Sequence, residues 1–495
     1  MTDNWELFWT VVAVAQSAAS VAVTAHVLLR RRASATAAAW IGLAWLAPGI
    51  GAVLYALLGI NRIERRARRM DRRRVPDPGN LACSAIEPPH LMPLDRAAAA
   101  ITGRPLLAGN AVMPLLHGEA AYPAMLAAIA GANGSIALSS YIFRNDATGR
   151  RFIAALAAAQ SRGVAVRVLI DGVGGGFFNA GAWRALRRAG VPVTRFLHSN
   201  LPWRMPLLNL RSHKKLLVVD GHIGFTGGIN IGDENLDPPG RAPRRPLLSS
   251  RLLPKRLLSK RRHRGTRDTH FRIDGPVVGQ MMAAFAEDWE FATGEALRGP
   301  LWFPPALPVG VPPVGTVFAR VATSGPDHDL ERIKLLMMSA ITVARRRIRI
   351  VTPYFLPDDA LATTLVLAAL RGVQVEILVA ERSDYRPLDW AMRDGLIALA
   401  RAGCHVLWSA PPFNHAKLMT VDDAWCLIGS ANWDMRSLRL NFELNVALLD
   451  AATAAGVDAL IDATPRRPAS LRELHTRPIA VRLRDAAARL FLPYL

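Results

Sequence analysis

A stretch of this chain occurs twice, and the repeat limits the fold more than any other feature. From His213 to Asn230 it reads HKKLLVVDGHIGFTGGIN, and from His415 to Asn432 it reads HAKLMTVDDAWCLIGSAN. In each copy a Lys follows the His by two places (Lys215, Lys417) and an Asp follows that Lys by five (Asp220, Asp422). A Gly-Gly or Gly-Ser pair and an Asn close both copies at matching spacing. The runs Leu216 to Val219 and Leu418 to Val421 read as buried strands. Wider echoes point the same way: Arg162-Gly163-Val164 recurs as Arg371-Gly372-Val373, and Arg188-Ala189-Gly190 as Arg401-Ala402-Gly403. Alternating helical and strand patterns predict an α/β fold of two pseudo-symmetric lobes.

On an extended segment, His and Lys two residues apart point to one side. Two facing copies bring two imidazoles and two ammoniums around one anionic centre. That composition suits attack on phosphorus. A neutral His attacks and becomes phospho-histidine. The other gives a proton to the leaving oxygen and takes one from the incoming oxygen. The lysines, Lys215 and Lys417, are expected to hold the non-bridging oxygens in place of a metal's charge. No metal or cofactor is expected, because a Lys beside each His repels a cation and no carboxylate cluster compensates.

The paired motif resembles the phospholipase D superfamily. YIFRND (Tyr141 to Asp146), RDTHFRIDGP (Arg267 to Pro276), VTPYFLPD (Val351 to Asp358) and GSANWDMRSLRLNFE (Gly429 to Glu443) are similar to its bacterial cardiolipin synthase branch. The resemblance covers nearly the whole chain. It implies two phospholipase D-type lobes, each a mixed sheet flanked by helices. It also implies phosphatidyl transfer between two phosphatidylglycerol molecules, with a lipid hydrolase or a membrane-tethered nuclease as alternatives. By analogy with the superfamily, His213 is expected to be the nucleophile and His415 its partner. Asp220 and Asp422, the third members of the motif, are counted with the catalytic set but expected to brace it through hydrogen bonds. Downstream of each motif a strand carries an acid near its start, Asp268 and Glu443. A carboxylate there can bond the far nitrogen of a histidine and fix its tautomer, or be a strand-end surface charge. Asn230 and Asn432 are read either as donors to phosphate oxygens or as turn caps. Both motifs are intact, which argues against a mere binding module.

Half of the 495 residues are hydrophobic and the formal net charge is +22. That balance suits an anionic membrane or nucleic acid. Only 7% of residues are Phe, Trp or Tyr, few for stacking bases, so anionic lipid, phosphatidylglycerol above all, is the expected partner and nucleic acid is not. Leu7 to Leu29 and Thr36 to Ile60 are apolar runs, each long enough for a spanning helix. Pro48, Gly49 and Gly51 interrupt the second, so a re-entrant hairpin is its alternative. Three arginines (Arg30 to Arg32) lie between the runs and eight follow them, from Arg62 to Arg74. In the bacterial inner membrane that the resemblance implies, the two runs predict a multi-pass protein and the asymmetry puts both termini and the lobes in the cytoplasm.

The expected divisions are a membrane anchor at 1–74 with a helix pair and a linker at 75–112. A first lobe follows at 113–300, a Pro-rich join at 301–316, and a second lobe at 317–495 ending in an amphipathic segment. DGVGGG (Asp171 to Gly176) reads as a tight strand exit, lacking the Lys-Ser/Thr ending of a phosphate loop. Cys83, Cys404 and Cys426 have no disulfide or metal spacing. Ten Lys or Arg crowd the segment Asp237 to Thr266, expected either as a solvated loop or as a flap on the anionic leaflet.

Overall fold

The structure, a computed structural model, describes residues 2–29, 34–56, 87–176, 180–198, 210–236, 265–305, 312–326 and 329–490. It divides into an amino-terminal helical unit and a larger α/β unit.

In the helical unit, α1 (Thr2–Leu29) is apolar from Trp5 to Leu29, a span of 25 residues. At 1.5 Å per residue it is long enough to cross a membrane. The second apolar run is different. It forms α2 (Ser34–Leu46) and α3 (Ile50–Leu54), and the chain reverses between them. Gly49 takes the left-handed φ of 84° that the turn needs, and Pro48 before it cannot donate to a continuing helix. A Cβ on Gly51 would sit 2.3 Å from the carbonyl oxygen of Leu43, so α3 lies directly on α2. Tyr55 then packs its ring on Trp40 and bonds His26 Nδ1 at 2.6 Å. The expected helix pair is therefore one long helix and a short helical hairpin, because the turn residues override the run's hydrophobicity.

The α/β unit is built on one large mixed sheet beside a separate two-stranded one. Its first half holds β1 (Leu107–Leu116), β2 (Ser135–Ser140), β3 (Ala165–Asp171), β4 (Val193–Phe196), β5 (Arg211–Ser212), β6 (Leu216–Val219), β7 (Ile223–Gly227) and β8 (Thr269–Asp274). The second half holds β9 (Val317–Ser324), β10 (Arg347–Thr352), β11 (Phe355–Leu356), β12 (Gln374–Ala380), β13 (His405–Ser409), β14 (Leu418–Val421), β15 (Trp425–Gly429), β16 (Trp433–Asp434), β17 (Asn441–Leu449) and β18 (Arg466–Pro468). Among the described residues the strand order is β18-β13-β12-β10-β14-β15-β17-β9-β1-β8-β7-β6-β2-β3-β4. Leaving out the edge strand β18, it reads the same from either end once each strand is matched to its repeat. In both halves the inner strands are antiparallel and the outer two pairs parallel. The antiparallel pair β1 and β9 joins the lobes. Helices cover the outer strands, and each lobe has its own apolar core.

Of the expected linker 75–112, the described residues 87–112 form regular structure. Met92–Thr102 is a helix whose Leu94 and Ala98 sit in the second lobe's core, and β1 then starts the first lobe. Pro93 misled the composition reading: it occupies the helix's first turn, where no backbone donor is required. Asp95 answers the buried Arg320 at 2.7 Å. DGVGGG is a strand exit: the Asp171 carboxylate accepts from the N–H groups of Val173 and Gly174. The expected amphipathic end is the helix Ile479–Leu490. Cys404 and Cys426 are buried free thiols. Cys83 lies outside the described residues, as does the basic segment up to Arg264.

Candidate active site

The site forms where the lobes cross. β5 runs parallel to the start of β17, and His213 N–H donates to Phe442 O at 2.9 Å. The mirror contact joins Arg267 to Asn414, with His415 N–H donating to Arg267 O at 2.7 Å. Each histidine is thus laid beside the acid-bearing strand of the opposite lobe.

The side chains follow. His213 Nδ1 lies 3.0 Å from the Glu443 carboxylate, and His415 Nδ1 lies 2.8 Å from Asp268 Oδ2. Both acids are fully buried. An Nδ1 proton held by a carboxylate leaves Nε2 with its lone pair, so both rings are fixed in the tautomer that can attack or accept. The Gly-[Gly/Ser] pair explains itself here. Gly227 and Gly429 have φ of 150°, and a Cβ on either would meet a backbone carbonyl oxygen of the neighbouring strand at 2.5 or 2.4 Å. Gly228 leaves room for Asp268, whose carboxylate a Cβ would meet at 2.2 Å. Its counterpart Ser430 instead donates its hydroxyl to Glu443 at 2.5 Å.

Burial sets the electrostatics. It pushes His213 well below its ordinary range, helped by Lys215 and Lys417. It lowers His415 as well, together with Lys417, while Asp268 opposes the shift. Burial brings Lys215 down to about 7 and Lys417 down to about 8. It raises Glu443 to about 7. Burial also acts to raise Asp268, but Lys417 and His415 outweigh it and hold that carboxyl below its usual value. Each ammonium bonds the backbone oxygen of its own motif's histidine, at 2.6 Å for Lys215 and 2.5 Å for Lys417. Lys417 Nζ also lies 2.9 Å from His415 Nδ1. With that nitrogen's proton committed to Asp268, the approach is a crowding of donors.

Asp220 and Asp422 do not reach the histidines. They lie past the far ends of β6 and β14, where Asp220 accepts the N–H groups of Asn133, Gly134 and Ser135. Asp422 accepts those of Arg345, Arg346 and Arg347, plus His90 Nε2 at 2.7 Å. Counting them with the catalytic groups is corrected: with a buried four-residue strand between, they pin a strand start and stay away from the cleft.

His213, His415, Asn230 and Asn432 line one cleft of about 410 Å³. Asn230 Oδ1 accepts from Ile142 N–H at 3.2 Å, whereas Asn432 Oδ1 is buried with no hydrogen-bond partner. Sequence reasoning passed over Tyr141 and Tyr354, whose rings flank His213 and His415 at 5.0 and 6.4 Å. It also passed over Arg211, Glu234 and Arg436 on the walls. Their signal lay in the repeat, since Tyr141 and Tyr354 occupy matching strand ends.

The comparisons agree with this geometry. The chain matches the family described as "Cardiolipin synthase, PLD-like domain" over residues 125–239 and 337–464, one segment per lobe. Cardiolipin synthase of Geobacillus kaustophilus is 31% identical over 493 residues, covering 97% of this chain and 93% of the relative. Cardiolipin synthase A of Pseudomonas putida (strain GB-1) is 35% identical over 367 residues, 74% of this chain and 71% of the relative. The crystal structure of phosphatidylserine synthase from Haemophilus influenzae has a TM-score of 0.57 at 15% identity, covering 81% of this chain and 99% of that one; the likeness is one of fold. Two crossed His-Lys motifs on a palindromic sheet, with one relative 31% identical over 93% of its length, make this chain a member of the cardiolipin synthase family of phospholipase D-like proteins.

Proposed function

We propose that the protein joins two phosphatidylglycerol molecules into cardiolipin and releases glycerol. The observation that carries this is the crossed pair: two buried histidines at one cleft, each with Nδ1 tied to a carboxylate and Nε2 left for chemistry. The lobes' electrostatics support a division of roles. His213, the more strongly held neutral, attacks phosphorus. Burial and Lys417 lower His415 too, but Asp268 opposes that shift, so of the two rings it is the one more readily protonated. It protonates the glycerol oxygen as the P–O bond breaks. In the second half His415 takes the proton from a hydroxyl of the second phosphatidylglycerol. That oxygen bonds to phosphorus, the P–N bond breaks, and cardiolipin leaves. Lys215 and Lys417, once drawn from their carbonyl partners, supply positive charge to the non-bridging oxygens. Asn230 and Asn432 stand on the cleft wall as donors to the same oxygens.

Purified protein in phosphatidylglycerol vesicles should yield cardiolipin and glycerol in equal amounts, read by chromatography. Phosphatidic acid without cardiolipin would establish a hydrolase instead.

The proposal extends to the membrane. α1 crosses it and the α2–α3 hairpin enters and returns, so Arg30 to Arg32 and the eight arginines after the hairpin flank one face. By the positive-inside rule that face is cytoplasmic and holds the lobes. The Asp3 and Glu6 end of α1 then lies outside, which replaces the two-span expectation. An impermeant thiol reagent on intact cells should label a Cys introduced at Asn4 and spare one at Arg150. The reverse pattern defeats this topology.

A further inference from the structure

The last described helix, Ile479–Leu490, is built inside out. Ile479 is 75% exposed and Leu483 65%, and Ala486 and Ala487 are exposed with them. At about 3.6 residues per turn these positions share one side. The opposite side meets the protein and carries a charge. Asp485 is buried, and it accepts from Arg484 Nη2 at 2.7 Å and from Arg477. Arg484 lays its guanidinium over the Trp390 ring at 4.4 Å, and Arg489 donates to Asp394 at 3.1 Å. Trp390 and Asp394 belong to the helix Arg386–Arg401. Charged groups therefore fasten the terminal helix there, and its two bulkiest described apolar side chains face out. The fastening lies beside the cleft: Leu388 of the helix Arg386–Arg401, and Tyr385 just before it, line the cleft, and Tyr385 is itself exposed.

A surface helix in water turns its apolar stripe toward the core. Turning the stripe outward is favourable where the outside is not water. The edges of this stripe say what the outside is. On the helical wheel Arg482 and Arg489 run along one edge and Arg484 along the other. Arg482 is exposed and, among the described residues, forms no ion pair. Apolar side chains flanked by arginines suit a helix lying flat in a bilayer interface. Its stripe enters the acyl boundary, and its guanidiniums rise to the phosphates. A second copy of the chain fits less well. The helix has 12 residues and is about 18 Å long, so its stripe falls short of the roughly 800 Å² per partner of a stable protein interface. Two such stripes would also bring like-charged edges together. We propose that the helix Ile479–Leu490 lies in the headgroup layer of an anionic phospholipid leaflet and holds the mouth of the cleft against it. A headgroup then enters past Tyr385 and Leu388 while its acyl chains stay in the leaflet. Anionic lipid is favoured because the arginine edges gain from a negative surface. The placement is the same whichever alcohol accepts the phosphatidyl group.

The test measures depth directly. The full chain, in a Cys83→Ser background, carries one environment-sensitive fluorophore on Ile479→Cys, Leu483→Cys or, as a reference, Thr342→Cys, an exposed position on the helix Arg332–Val343. Each protein is reconstituted into vesicles of phosphatidylcholine alone or mixed equally with phosphatidylglycerol, with acyl chains brominated near the headgroup as quencher. Bromolipid should quench the probes at 479 and 483, more strongly with phosphatidylglycerol present, and leave the probe at 342 bright. The double variant Ile479→Gln/Leu483→Gln should lose about three- to tenfold in activity on phosphatidylglycerol vesicles, a partial loss because a second membrane attachment remains in α1. Its turnover of short-chain, monomeric phosphatidylglycerol should match that of the unsubstituted protein. Equal quenching at all three sites, or none at 479 and 483, overturns the placement. Probes shielded without bromolipid quenching, and exposed again when the protein is diluted among vesicles, overturn it in favour of a second copy. Quenching with vesicle activity unchanged, or with short-chain turnover falling equally, overturns the role at the cleft mouth. The expected quenching in a protein that makes no cardiolipin upholds the placement and overturns the reaction proposed above.

Discussion

The two lobes share a strand order and differ at the atoms that touch the histidines. The first lobe contributes a short acid, Asp268, against the bare backbone of Gly228. The second contributes a longer acid, Glu443, which also accepts from Ser430 and Asn441. Asp268 is held ionised; Glu443 is raised to about 7. The duplicated scaffold thus supplies two imidazoles in one geometry, and in the proposed mechanism small differences beneath them would separate a nucleophile from an acid. Pairs of titratable groups pushed apart by their surroundings mark such a division of labour.

The hardest blow to this contrast is removing either ring. His213→Ala and His415→Ala should each lower turnover by roughly a thousandfold or more, since neither ring can do both jobs, with circular dichroism unchanged. A phosphatidyl adduct trapped on His415 rather than His213 would reverse the assignment.

The acids come next. Asp268→Asn removes a full charge and should cost roughly a hundred- to a thousandfold in kcat, whereas Glu443→Gln should cost roughly tenfold. Equal losses would erase the polarity between the lobes.

A smaller effect concerns the lysines. Lys215 and Lys417 sit at about 7 and about 8, so each loses its charge as pH rises through those values. KM for phosphatidylglycerol should climb about three- to tenfold between pH 7 and 9. Calorimetry in two buffers should show proton uptake when glycerophosphoglycerol binds at pH 8, because the anion restores the ammonium. A flat KM and no uptake would mean the lysines stay charged.

Below these lie the braces. Asp422→Asn should cost about 1–3 kcal/mol of stability, and more than Asp220→Asn, since only Asp422 also holds a histidine. Burial favours protonating Asp422, but the N–H groups of Arg347, Arg345 and Arg346 and then His90 prevail and depress its pKa. Its contribution is present above the unfolded carboxyl value near pH 4 and is lost as pH falls through the lower folded value. Tm against pH, measured for both variants, checks the order. The least effect is expected from excess EDTA, with activity retained; loss restored by a divalent cation would show that the two lysines do not replace a metal.

The paired lobes and the central side chains were legible because motif spacing on strands maps directly to one face. Asp268 and Glu443 were legible as acids but not as crossed partners, since strand exchange between lobes leaves no local pattern. Asp220 carries the same signature as His213, yet the strand between them separates brace from chemistry. The α2–α3 reversal was written in Pro48 and Gly49, and the run's hydrophobicity drowned it. Met92–Thr102 was hidden by prolines that tolerate a helix's first turn. The walls Arg211 and Arg436 were invisible individually and speak only once the repeat is folded onto itself.

Crossed pairing also puts the chain on a clock. Glu443 is made 230 residues after His213. At translation rates of about 5–20 residues per second, roughly 10–50 s pass before the first histidine's acid exists. The same crossing leaves His415 dependent on the older lobe. A nascent or prematurely ended chain therefore holds His213 with no carboxylate to set its tautomer. Under the proposed function neither half alone would cleave lipid, and competence would arrive only with the strand that carries Glu443.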